Sequence, residues 1–125
     1  MTLQRERREQ SWLVQWFKLK YRKLLIVASA NGGARNPKEA ANMKREGVLA
    51  GMPDLQIFKA CRGYNGLLIE MKAPATDTHG KGKLSAIQKE RIEQLNKENY
   101  YTIVCFGWLE AKAVIDWYLG EGDGT

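Results

Sequence analysis

Histidine is nearly missing from this chain, cysteine is scarce and long apolar runs are absent, and each shortage removes a class of function. The one histidine, His79, lies in a polar stretch without His or Cys company, so a structural zinc site lacks its ligands. The two cysteines, Cys61 and Cys105, have no CxxC spacing and read as reduced thiols of a cytosolic protein. No apolar run approaches the ~18–20 residues needed to span a bilayer, and the N-terminal residues are charged rather than signal-like. Membrane insertion and Sec export are therefore not expected. The Gly80 to Lys83 stretch (GKGK) lacks the GxxxxGK(S/T) spacing of a phosphate loop, which excludes a nucleotide triphosphatase. Internal repeats and low-complexity segments are missing too.

What is present is an ordinary globular balance with a basic excess. In 125 residues, 44% are hydrophobic and 27% charged, enough for one domain with one core, expected over 1–120 with 121–125 as a flexible tail. The net charge of +6 coexists with 14 carboxylates, so the excess belongs to a folded surface and favours a polyanionic partner, nucleic acid first.

Along the chain, Glu6 to Arg22 spaces Trp12, Leu13, Trp16, Phe17 and Leu19 as an amphipathic helix. Leu24 to Ser29 reads as a short buried strand stopped by Asn31, Gly32 and Gly33. Asn36 and Pro37 offer an N-cap and a first helical position, with a helix to Glu46 and Gly47 as its stop. Asp54 to Ala60 alternates as a strand, and the Arg62 to Gly66 turn joins it to an antiparallel partner, Gly66 to Lys72. A polar loop follows from Ala73 to Lys83. A third helix opens at Ser85, with Ile87, Ile92 and Leu95 as its apolar face. Tyr101 to Phe106 is a last buried strand, and Glu110 to Leu119 a closing helix with Ala111, Val114, Ile115 and Tyr118 inward. A mixed β-sheet flanked by α-helices, an α/β fold, satisfies this order. Trp12, Trp16, Trp108 and Trp117 read as core or interface residues, and Tyr64 as an exposed turn aromatic.

Chemistry concentrates at the end of the Gly66 to Lys72 strand. Side chains alternate across a strand, so Glu70 and Lys72 leave from one face roughly 6.5–7 Å apart. Antiparallel pairing brings Asp54 to the same edge. Two convergent carboxylates bind a hard divalent cation through oxygen. Such a cation lowers the pKa of a bound water and neutralises charge on phosphate, and Lys72 beside it could hold that water. Solvated charges at the ends of a hairpin are the plainer alternative for an isolated ExK.

The order GxxxGMPDL (Gly47 to Leu55), GLLIEMKxP (Gly66 to Pro74) and LSxxQ (Leu84 to Gln88) resembles the virus-type replication-repair nuclease (VRR-NUC) domain, within the PD-(D/E)xK nucleases. Asn31 to Arg35 and Val104 to Leu119 extend the likeness over most of the chain, of a stand-alone phage or bacterial type. The resemblance implies a restriction-endonuclease-like core and Mg²⁺- or Mn²⁺-dependent cleavage of DNA, with preference for branched or flapped substrates such as Holliday junctions. It also implies a role in DNA repair, a homodimer and a cytoplasmic site of action. By the same resemblance, Asp54 and Glu70 match the metal-binding acids, the Met71 carbonyl a further ligand, Lys72 the catalytic lysine and Gln88 a glutamine facing the site. A further acid is expected from the first helix, either Glu6, which has Gln10 four residues on, or Glu9.

Asn31, Gly33, Arg35 and Lys38 are expected to touch phosphates, and Lys81 and Lys83 to grip DNA from a basic loop. A non-catalytic DNA-binding module and an RNA-processing nuclease stay open as alternatives.

Overall fold

A computed structural model describes residues 2–30 and 36–120. The elements follow the expected order: α1 (Thr2–Lys20), β1 (Ile26–Ala28), α2 (Pro37–Arg45), β2 (Leu55–Ile57), β3 (Leu67–Lys72), α3 (Ala86–Lys97), β4 (Tyr101–Phe106) and α4 (Trp108–Tyr118). The tail expected at 121–125 lies outside the described residues. The four strands form one sheet in the order β1-β2-β3-β4, with β1–β2 and β2–β3 antiparallel and β3–β4 parallel. Parallel neighbours need a crossover, and α3 supplies it. The result is a mixed sheet with flanking helices.

β3 is central and buried along all six residues. Leu67, Ile69 and Met71 join Leu55, Ile57 and Cys105 against Leu13 and Phe17 of α1 and Ala111, Ile115 and Tyr118 of α4. The helical spacing that predicts α1 and α4 is thus the spacing that buries them. The opposite face of β3 carries Leu68, Glu70 and Lys72, which are 6%, 2% and 7% exposed. Two charged residues therefore sit deeper than surface charges do.

The caps explain the helix starts. Asn36 Oδ1 accepts from Glu39 N at 2.8 Å, with Pro37 in the first turn of α2. Ser85 and Gln88 form a reciprocal capping box on α3.

Locally the structure adds detail, and it corrects the expectations for β1 and for Tyr64. β1 is a three-residue edge strand rather than a buried one, and Leu25 and Val27 stay 65% and 43% exposed, because among the described residues only β2 pairs with it. The apolar face of α3 is only half-covered, since none of its residues is fully buried. Tyr64 is half-buried rather than exposed, its ring 5.0 Å from that of Tyr101. Trp12 lies on the surface beneath the Arg8 guanidinium, whereas Trp16, Trp108 and Trp117 pack against the core. Among the described residues, no helix is long and apolar enough to cross a membrane.

Candidate active site

The site forms where β2 ends and β3 runs on. Leu55 pairs with Ile69, so the residue before Leu55 falls opposite Glu70. That residue is Asp54, and its Oδ2 accepts from Met71 N at 2.7 Å. Three contacts from Ser29 and Gln56 fix the approach of the Pro53–Asp54 pair. Ser29 Oγ donates to Pro53 O at 2.6 Å, Ser29 N donates to Asp54 O at 2.8 Å, and Gln56 Nε2 donates to Ser29 Oγ at 2.7 Å. Pro53 is buried and has no N–H to satisfy.

Glu70 Oε2 is the convergence point. Lys72 Nζ lies 3.5 Å from it, and Gln88 Nε2 donates to it at 3.1 Å. The Gln88 amide cannot turn freely, because its Oε1 accepts from Ser85 N at 2.9 Å in the capping box. The cap of α3 therefore aims an N–H at the acid. Burial first, then the Asp54 charge and hydrogen bond, push the Glu70 carboxyl up from 4.5 to about 8, against the pull of Lys72. Two carboxylates crowded in a water-poor place resist joint ionisation.

That crowding fits a hard cation. Met71 N points to Asp54 while Lys72 O accepts from Gly107 N, so strand alternation turns the Met71 carbonyl toward Asp54. Two carboxylates and a carbonyl make an all-oxygen donor set of the kind Mg²⁺ and Mn²⁺ take, with room left for water and phosphate. Among the described residues, no three His, Cys, Asp or Glu side chains close into one metal-sized group.

The first helix divides its two acids between two tasks. Glu6 and Gln10 line, with Asp54, a cleft of about 620 Å³ beside α1. Burial raises the Glu6 carboxyl, Lys72 lowers it, Asp54 raises it and Arg5 lowers it, and the balance lies above the usual range. Glu9, three residues on, looks elsewhere: its Oε1 accepts from Trp108 N at 2.7 Å and caps α4, whose own N-cap residue, Gly107, offers no side chain. Of the two candidates, Glu6 is the one turned to the site.

The basic residues are more dispersed. Lys38 is exposed on the first turn of α2, and Lys83 is exposed before α3. Lys81 Nζ sits 4.7 Å from the Phe106 ring centre, and Phe106 is the register partner of Lys72. Asn31, Gly33 and Arg35 lie outside the described residues. His79 is exposed and bonded within its own loop to Thr76 and Thr78.

Three supporting residues escape a sequence reading. Gly82 N donates to Ala73 O, and a Cβ at Gly82 would lie 3.3 Å from Lys72 Cδ, so glycine lets the loop pass close beside the lysine stem. An Arg5 guanidinium N–H donates to Pro74 O and ties α1 to the chain just past Lys72. Ser29 is the third. Only the Ser85–Gln88 capping box carries a local signal, the S-x-x-Q spacing.

Comparison with known proteins gives the family and the fold. The VRR-NUC domain matches residues 1–108. A solved structure described as a VRR_NUC domain protein is 35% identical, covers 94% of this chain and 90% of its own, and superposes with a TM-score of 0.74. No curated protein matches the chain. With the domain matched over most of its length and a solved relative at that identity, the chain belongs to the VRR-NUC family of nuclease-type, DNA-processing domains.

Proposed function

We propose that this protein is an Mg²⁺- or Mn²⁺-dependent endonuclease that hydrolyses phosphodiester bonds in structured DNA, with four-way junctions and flaps as its preferred substrates. The observation that carries the reading is the meeting of Asp54, Glu70 and Lys72 in a buried corner, with the Gln88 amide fixed upon Glu70. Asp54, Glu70 and the Met71 carbonyl would hold the cation, with Glu6 as an outer acid. The bound cation supplies Lewis acidity toward a phosphate oxygen and a lowered pKa for water.

The chain's own groups do the rest. Lys72 Nζ, a donor without acceptor capacity, holds the attacking water in line with the scissile phosphate and balances its growing negative charge. As the water oxygen bonds to phosphorus its proton passes to solvent, the P–O bond to the leaving sugar oxygen breaks, and that oxygen takes a proton from solvent water. Gln88 Nε2 keeps Glu70 Oε2 oriented, so the acid meets the cation in one geometry. The apolar neighbours on β3 exclude water and strengthen these interactions. Lys38, Lys81 and Lys83, with Asn31, Gly33 and Arg35, contact the DNA backbone. The described residues of each chain hold one such site, so paired cuts in a junction require two copies, and a homodimer working in the cytoplasm is the assembly proposed.

The test is a cleavage panel of duplex, flap, four-way junction and single-stranded RNA with Mg²⁺, Mn²⁺ or EDTA. Cleavage of branched DNA with either metal and none in EDTA is expected. Cleavage confined to RNA would favour an RNA-processing enzyme, and tight binding to DNA with no cleavage under any metal would favour a binding module. Light scattering reads the assembly, and a strict monomer that cuts junctions in matched pairs would refute the dimer.

A further inference from the structure

The cleft beside α1 has features the catalytic reading does not use. Its walls bring Arg7, Gln10 and Ser11 of α1 to face Ala28 and Asp54, with Val14 contributing apolar surface. At about 620 Å³ it is large enough for a nucleotide unit, and it shares Asp54 with the candidate metal site. Gln10 is half-buried, and neither it nor Arg7 makes a hydrogen bond or ion pair among the described residues. The Gln10 amide and the Arg7 guanidinium are therefore uncommitted donors on the cleft wall, open to solvent and free to meet a ligand. The neighbouring Arg5, by contrast, is engaged with Pro74 O.

We infer that this cleft seats the nucleotide next to the scissile phosphate, with Arg7 on its phosphodiester and the Gln10 amide and Ser11 hydroxyl donating to the same strand. This rests on the nuclease reading, because the strand must pass Asp54 to be cut. Chemistry favours a phosphodiester over other ligands. Arginine presents a planar fork that matches phosphate oxygens, and the amide and hydroxyl beside it are donors of the kind that contact DNA backbones. Val14 and Ala28 supply small apolar surface against which a sugar can rest. The acids Glu6 and Asp54 on the same cleft repel a polyanion until a divalent cation offsets them, so occupancy of the cleft is coupled to the metal.

The test compares wild type, Arg7→Gln, Arg7→Lys and Lys18→Gln, the last removing a charge in the final turn of α1. Binding to a four-way DNA junction is titrated from low to high salt in Ca²⁺, with gels to verify that the DNA stays intact, and again in EDTA. For duplex DNA each phosphate contact contributes about 0.9 to the slope of log K on log salt. Arg7→Gln is expected to weaken binding in Ca²⁺ by about tenfold or less and to lower that slope by about 0.9, with little change in EDTA. Arg7→Lys retains the slope, and Lys18→Gln leaves slope and affinity close to wild type. In Mg²⁺, Arg7→Gln raises KM with kcat nearly unchanged. A wild-type slope in Arg7→Gln, or an equal loss in Lys18→Gln, overturns the assignment. If wild type cuts DNA and Arg7→Gln keeps the wild-type slope, only the cleft assignment falls. If wild type cuts nothing under any metal, the nuclease reading falls first.

Discussion

Replacing Glu70 with glutamine is expected to stabilise the metal-free protein in alkaline solution while abolishing its activity. Glu70 is 2% exposed, beside Asp54, and its carboxyl is pushed from 4.5 up to about 8. A group whose pKa rises on folding favours the folded state below its unfolded pKa, and that advantage is lost as pH climbs through the folded value. Each pH unit of difference corresponds to about 1.4 kcal/mol, so the penalty reaches a ceiling of about 5 kcal/mol by pH 8 and above. The amide introduced by Glu70→Gln keeps the shape, can accept from Gln88 and donate to Asp54, and carries no charge to bury. Urea unfolding in EDTA at pH 5, 7 and 9 reads the effect. The two proteins should be close at pH 5, and the variant should lead by several kcal/mol at pH 9. Adding Mg²⁺ should then restore the wild type alone, by about 2.7 kcal/mol at a hundred times its Kd, with protons released on binding near neutral pH. A stability difference that is flat from pH 5 to pH 9 would refute the claim that the two acids are held together at the expense of ionisation.

Other expectations follow from single contacts. Gly82→Ala places a methyl 3.3 Å from Lys72 Cδ and should shift the lysine stem by a few tenths of an ångström; kcat should fall about tenfold with KM for DNA little changed. Glu9→Ala removes the carboxylate that caps α4 and should cost about 1 kcal/mol by denaturant unfolding without altering metal affinity, whereas Glu6→Gln should weaken metal binding with little loss of stability. Asp116 is depressed: burial acts to raise its carboxyl, but hydrogen bonds from Tyr21 and Lys20 and the charges of Lys20 and Lys112 outweigh it. Its stabilisation is therefore present above the unfolded pKa and lost as pH falls through the folded value. The stability gap between wild type and Asp116→Asn should shrink between about pH 5 and pH 2, a trend that calorimetry across that range would read.

The signals that could be read from sequence are those decided within one turn or one strand. Asn36 with Pro37, and Ser85 at the head of α3, announce their helices because a cap is satisfied by residues two or three positions on. Alternation places Glu70 and Lys72 on one face, and the short turn before Gly66 sets the antiparallel partner, which carries Asp54 to the same edge. Contacts made across the fold leave no such trace. Ser29 reaches Pro53 over 24 positions, and Glu9 reaches Trp108 over 99, so neither spacing could separate Glu6 from Glu9 on the helix. The apolar letters of β1 read as core, but burial depends on a neighbour, and an edge strand has one on a single side. Gln88 is instructive because it belongs to both kinds. Its capping spacing is local, yet the aim of its amide at Glu70 appears only when α3 is laid beside β3.

The central claim is that Asp54, Glu70 and Lys72 form one hydrolytic site for DNA. Single-turnover cleavage of a four-way junction by wild type and Lys72→Met, in Mg²⁺ and in EDTA, addresses it most directly. Wild type is expected to cleave in Mg²⁺ alone, and Lys72→Met to lose at least about a hundredfold in rate with DNA affinity within about threefold. Undiminished cleavage by Lys72→Met, or by wild type in excess EDTA, would contradict it.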